Sequence, residues 1–113
     1  MSEESSFLTE SEQRQLLSVA RDAVRAAVSG AICEIAEPLG NVARKCGVFV
    51  TLHRQEELRG CLGRFEPDDI PLLELVAIMA REAALNDSRF LPVSSDEIPE
   101  LDIEISVLTP MHR

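Results

Sequence analysis

The sequence predicts an α+β domain, a small antiparallel sheet packed on helices. Three observations carry this. Apolar residues recur at helical spacing over residues 9–30 and again over 72–83. Two β-rich runs, GVFVTLH (47–53) and LRGCLGRF (58–65), lie close enough to form a hairpin. LDIEISVL (101–108) alternates apolar and polar. A hairpin is antiparallel, so the order helix, hairpin, helix, strand does not suit a doubly wound parallel sheet.

Residues 1–8 read as a flexible acidic tail. Thr9 and Glu12 then form a capping box, in which each residue meets the orphan N–H of the other. Leu17, Ala20, Val24, Ala27 and Val28 give the helix its stripe, with Leu16 and Ala23 beside it, and Gly30 ends it. AICEIAEPLG (31–40) has room for one more turn before Pro38 and Gly40. The hairpin is expected to turn through a three-residue loop, 54–56, which sets Cys61 opposite Phe49 and near Thr51. Leu58 and Leu62 then join Val48, Val50 and Leu52 on one face. Asp68 or Asp69 is expected to cap the second helix, with Pro71 in its first turn and Leu72, Leu75, Val76, Met79 and Ala83 as its apolar stripe. Ser94 and Glu97 predict a short capped turn, and Ile103, Ile105 and Val107 face one way along the last strand.

Composition narrows the function classes. The 113 residues suit one domain. No apolar run approaches the ~20 residues that span a bilayer, and the acidic N-terminus MSEESSFLTESE has no h-region, so the expected compartment is the cytoplasm. A net charge of −9, scattered basic residues and no Trp or Tyr argue against nucleic acid and membrane surfaces. Cys33, Cys46 and Cys61 are widely spaced without a CxxC, the usage of reduced thiols rather than a disulfide framework. His53 and His112 stand at no zinc-ligand spacing from them, so no metal site is expected.

ELRGCLGRF (57–65) carries the chemistry. Glycine weakens a strand, yet Gly60 and Gly63 flank a thiol, Cys61. Bare backbone lets a ligand or another backbone approach. Arg59 leaves the same face of a strand as Cys61, and a cation there favours a thiolate. Asp87 and Arg89 follow the second helix and can add a charged pair. Arg59, Gly60, Cys61, Gly63, Asp87 and Arg89 are therefore the candidate ligand-binding residues, and Cys61, Arg59 and His53 the candidate catalytic ones. The alternative is packing: a free Cys often fills space, and glycines let elements close up. Packing is preferred for the glycines, and a packing or site-lining role for Cys61. Arg59 is expected to sit at the surface, its loss costing within about ±0.5 kcal/mol.

LRGCLG (58–63) resembles the signature hexapeptide of the AMMECR-one domain family, usually LRGCIG. GVFVTL, AREAALNDSRF (80–90), PVSSDEIPEL (92–101) and IEISVLTPM (103–111) resemble its consecutive blocks, so the resemblance runs through residues 9–113. Leu62 replaces an isoleucine, and Ser88 and Leu91 stand where the family's DPRFPP segment has prolines. The resemblance implies an α+β domain of two unequal lobes, with the C-terminal part of the family's domain absent from this sequence. It implies association with Memo-type and radical-SAM proteins, as component A of a microbial set, and no established activity or cofactor. The expected function is a small-ligand or partner-binding module built around LRGCLG, with a thiol-dependent enzyme using Cys61 and Arg59 as the alternative. The protein is also expected to form homo-oligomers through an uncovered edge or patch at residues 102–108.

Overall fold

Thr9 starts the first helix through the reciprocal bonds its spacing implies. The computed structural model describes residues 7–65 and 69–108. In it the Glu12 amide donates to Thr9 Oγ1 at 3.0 Å, and the Thr9 amide donates to Glu12 Oε1 at 2.9 Å. Helix α1 spans Glu10–Ser29 and stops at Gly30, whose φ of 76° lets its amide turn back to the Ala26 and Ala27 carbonyls. Its buried face is Leu16, Ala20, Ala23 and Val24. Leu17, expected in that stripe, is 37% exposed, so the stripe sits one residue earlier than the sequence pattern placed it. Residues 1–6 of the expected tail lie outside the described residues. Its last two are packed: Leu8 is buried, and the Arg44 guanidinium lies 4.5 Å above the Phe7 ring.

The extra turn expected in residues 31–40 falls later, as a 3-10 turn at Gly40–Ala43. Pro38 disfavours helical backbone at Glu37, and no helix forms between Gly30 and the turn that begins past the proline. Helix α2, Leu72–Leu85, has Pro71 at its N-cap without a side-chain bond, and the Leu72 amide donates instead to the Arg44 carbonyl at 2.8 Å. Asp68, one of the two expected caps, lies outside the described residues. Leu72, Leu75, Val76, Met79 and Ala83 are buried as expected, and so are Leu73, Ala77, Ala80 and Ala84. This helix is covered nearly all round, by α1 on one side and the sheet on the other.

The sheet has three antiparallel strands in the order β2-β1-β3: β1 Gly47–Arg54, β2 Glu57–Arg64 and β3 Leu101–Leu108. The hairpin loop is two residues, not three. Gln55 and Glu56 take φ of 53° and 68°, the backbone of a type I′ turn. Arg54 pairs with Glu57 and His53 with Leu58, and then a bulge leaves Arg59 extra, so that Leu52 pairs with Gly60 and Thr51 with Cys61. A two-residue loop alone would turn Cys61 to the aliphatic face, and the bulge turns it back. Val48, Val50 and Leu52 therefore still line the inner face, joined by Ile105 and Val107 of β3, all fully buried or nearly so. Cys61 sits opposite Thr51 rather than Phe49, and Leu58 pairs with His53 away from the aliphatics, 38% exposed.

Gly60 shows why a strand here tolerates glycine. A Cβ built on it would lie against the Ala83 carbonyl oxygen, inside van der Waals contact, so α2 reaches the sheet only over a bare Cα. Gly60→Ala is therefore expected to lower stability by about 1–3 kcal/mol, the range for overpacked cores. Urea unfolding measures it, and an unchanged midpoint would show that the helix–sheet contact is loose.

Candidate functional site

β2 lies at the edge of the sheet, and edge strands leave alternate N–H and C=O groups unpaired. At Cys61 both groups are met by side chains. The Cys61 amide donates to Asp87 Oδ2 at 3.0 Å, and Arg89 Nη2 approaches the Cys61 carbonyl at 3.4 Å. The two side chains are themselves joined, Arg89 Nη2 to Oδ2 at 2.7 Å and Nε to Oδ1 at 3.0 Å, while the Arg89 amide donates to Oδ1 at 3.1 Å. An acid–guanidinium pair thus supplies the acceptor and donor that a neighbouring strand would supply. Asp87 is placed there by the end of α2, where the Asn86 amide closes on Glu82 and the Phe90 amide turns back to the Asp87 carbonyl. The Arg89 side chain, with the Cys61 and Arg89 amides, holds the Asp87 carboxyl far below its usual range despite the opposing effect of burial.

A second clamp holds the bulge. Arg59 Nε and Nη2 meet Glu97 Oε2 and Oε1 at 2.8 and 3.0 Å, Nη1 donates to the Leu91 carbonyl at 2.7 Å, and Nη2 reaches the Pro92 carbonyl at 3.2 Å. Glu97 also accepts the Ser94 amide at 2.9 Å, closing the expected capping box of the 3-10 turn Ser95–Glu100. Its pKa is lowered to about 2, first by the Arg59 side chain and then by the Ser94 amide, against desolvation. The expectation of a surface Arg59 is corrected: its side chain is only 17% exposed, because the bulge aims it along the sheet edge into the 91–97 segment.

The structure brings Cys61, Gly60, Gly63, Asp87 and Arg89 together. It places Arg59 beside them but commits its donors to residues 91–97. His53 is half-buried, paired with Leu58 and Asp102, one outward position along β1 from Thr51. Thr51, which the sequence named only as a neighbour, has its hydroxyl 3.2 Å from the Cys61 sulfur. Glu97 was legible as a cap, and nothing local signalled its bond to Arg59, 38 residues away. Gly63 lies close against β1, where a Cβ would strike the Val48 carbonyl oxygen first and then the Phe49 ring and Cα. Among the described residues no three of His, Cys, Asp or Glu are grouped to hold a metal ion, and no helix is long and apolar enough to cross a membrane.

Residues 17–113 match the AMMECR1 family model, and the chain belongs to that family. It is 40% identical over 105 residues to a protein of Methanothermobacter thermautotrophicus, covering 91% of this sequence and 54% of that one. A Methanopyrus kandleri protein is 44% identical over 107 residues, covering 91% and 51%. The crystal structure of an uncharacterised Pyrococcus horikoshii protein superposes with a TM-score of 0.74 at 36% identity, over 84% of this sequence and 50% of that one. The chain therefore spans about half the length of these relatives. The α+β arrangement of helices on a three-stranded antiparallel sheet is that of the solved relative.

Two outcomes are expected from the second clamp. Arg59→Ala removes the bidentate partner of a nearly buried carboxylate, leaving it the longer Arg54 contact at 3.4 Å and the Ser94 amide, and is expected to cost about 2 kcal/mol in urea unfolding. Because folding depresses the Glu97 pKa, its contribution is whole above its ordinary value of 4.5 and is lost as pH falls towards about 2. Wild type is expected to lose more stability than Glu97→Gln between pH 5 and about 2, since the variant has no proton to take up there. Parallel pH profiles of the unfolding midpoint would contradict the pairing.

Proposed function

We propose that residues 58–63, with the 86–97 segment folded over their edge, form a small-ligand or partner-binding module. One observation carries the reading: the Cys61 backbone is held at both polar groups by Asp87 and Arg89, while its thiol and the Thr51 hydroxyl stay half-buried on the outer face of the sheet. Rigid backbone beside accessible polar groups is the arrangement a binding site needs. The alternative, a thiol-dependent enzyme using Cys61 with Arg59, draws less support, since four Arg59 bonds run to residues 91–97. On the same reading the protein works in the cytoplasm, where thiols stay reduced. Its partners are Memo-type and radical-SAM proteins and a second copy of the protein paired at the outer edge of β3, to be sought by sedimentation equilibrium.

Alkylation tests the reading with built-in controls. Cys46 is fully buried, and burial pushes its thiol pKa up; burial and the nearby Asp22 push up that of Cys33. Iodoacetamide at neutral pH, followed by peptide mapping, is expected to label Cys61 fastest, and a ligand found by thermal shift is expected to shield it. Cys61 labelling more slowly than both others would remove the thiol from any site.

A further inference from the structure

Arg89 uses only part of its guanidinium on Asp87. Nε and Nη2 face the carboxylate, and Nη2 also reaches the Cys61 carbonyl. Nη1 has no partner among the described residues. The side chain is 57% exposed, yet its plane is set by the two bonds to Asp87 and by the Phe90 ring, whose centroid is 5.3 Å from Cζ. Gly63, two residues on from Cys61 in the same ladder, repeats the direction of its backbone amide. The two residues stand opposite Phe49 and Thr51, alternate positions of one antiparallel ladder. Since the Cys61 amide turns away from β1 to Asp87, the Gly63 amide turns outward along the same edge. Among the described residues no side chain or loop accepts from it.

We infer that this edge binds a carboxylate, one oxygen accepting from the Gly63 amide and the other from Arg89 Nη1. The inference rests on the binding reading above and names its ligand class. Asp87 is the template, a carboxylate bridging an outward amide of β2 and this same guanidinium. The ligand repeats that bridge one step along the strand, on the donors Asp87 leaves unused. Both groups are donors only, and a planar carboxylate matches a guanidinium edge in a way a neutral carbonyl does not. The Cys61 thiol and Thr51 hydroxyl lie on the adjoining face, within reach of whatever the carboxylate is attached to. The carboxylate comes from a small acid or from the C-terminus of a peptide, whose preceding residues would extend along the edge by strand addition.

The test is a titration of the 15N-labelled 113-residue protein, followed by the Gly63 amide resonance, with sodium chloride at equal ionic strength as the baseline. The probes are N-acetylglycine, an N-acetylated tetra-alanine with a free carboxylate, and the same peptide amidated. The expected result is a saturable downfield shift of the Gly63 proton with both carboxylates and none with the amide. Tighter binding of the peptide than of N-acetylglycine identifies a peptide C-terminus as the source, and equal binding identifies a small acid. Arg89→Lys keeps a cation on Asp87 without the second fork, and is expected to bind at least about tenfold more weakly, the loss of one charge-assisted bond. A Gly63 amide that neither carboxylate moves in the wild type overturns the inference, as does equal binding by the amidated peptide or by Arg89→Lys. If N-acetylglycine saturates Gly63 yet leaves Cys61 alkylation unchanged, the inference stands and the reading of a site around the thiol falls. If a ligand lacking a carboxylate shields Cys61 while both carboxylates leave Gly63 unmoved, that reading stands and the inference falls.

Discussion

The bond from the Cys61 amide to Asp87 is the constraint on which the rest of the site depends. It is one hydrogen bond, but its acceptor is a nearly buried carboxylate whose charge is held first by the Arg89 side chain and then by the Cys61 and Arg89 amides. Asp87 therefore fixes Arg89, and the two together fix the loop leaving α2 against the edge of β2. Residues 91–97 follow from that loop and arrive where Arg59 can grip them. The two clamps lie on neighbouring edge positions of one strand, and each joins segments far apart in sequence.

Gly60 is the other half of the same construction. Its missing side chain lets α2 lie directly on β2 at Ala83, which places the C-terminal end of α2 beside the strand edge. A helix held farther off would carry Asp87 away from the Cys61 amide. The glycine and the acid thus act in series, the first setting the depth of the helix and the second using its end. Cys61 is a result of this framework: its backbone is fixed from the edge, and its side chain is directed by the bulge to the open face, against Thr51.

What was legible in the sequence is what local chemistry decides. Thr9 with Glu12, and Ser94 with Glu97, are caps closed within three residues, and the alternation of Ile103, Ile105 and Val107 fixes the face of β3. The hairpin was less legible because Gln55 and Glu56 adopt positive φ without the glycine or asparagine that usually signals a type I′ turn. The loop is one residue shorter than expected and the bulge adds one back, so Cys61 faces as expected but stands opposite Thr51 rather than Phe49. Arg59 departs from the expected surface position because a bulge residue does not obey the two-residue period of a strand. The bonds of Asp87 and Glu97 to β2 span 26 and 38 residues, and no spacing rule reaches that far.

The two edges of the sheet are treated differently, and this bears on which strand pairings each edge opposes. β2 is blunted by charged side chains bonded to its backbone, whereas β3 has no strand beside its outer edge among the described residues. Ile103–Leu108 reads IEISVL, a six-residue window of high β-propensity with one charge in it. Asp102 and Glu104, both exposed on the outer face, are thus its gatekeepers. Two like charges on every copy oppose the flat stacking of identical strands, which places them side by side at the spacing of a cross-β repeat. A neutral residue at 104 would leave this window with no charge, so the opposition to in-register stacking rests on a single carboxylate within it and a second just outside.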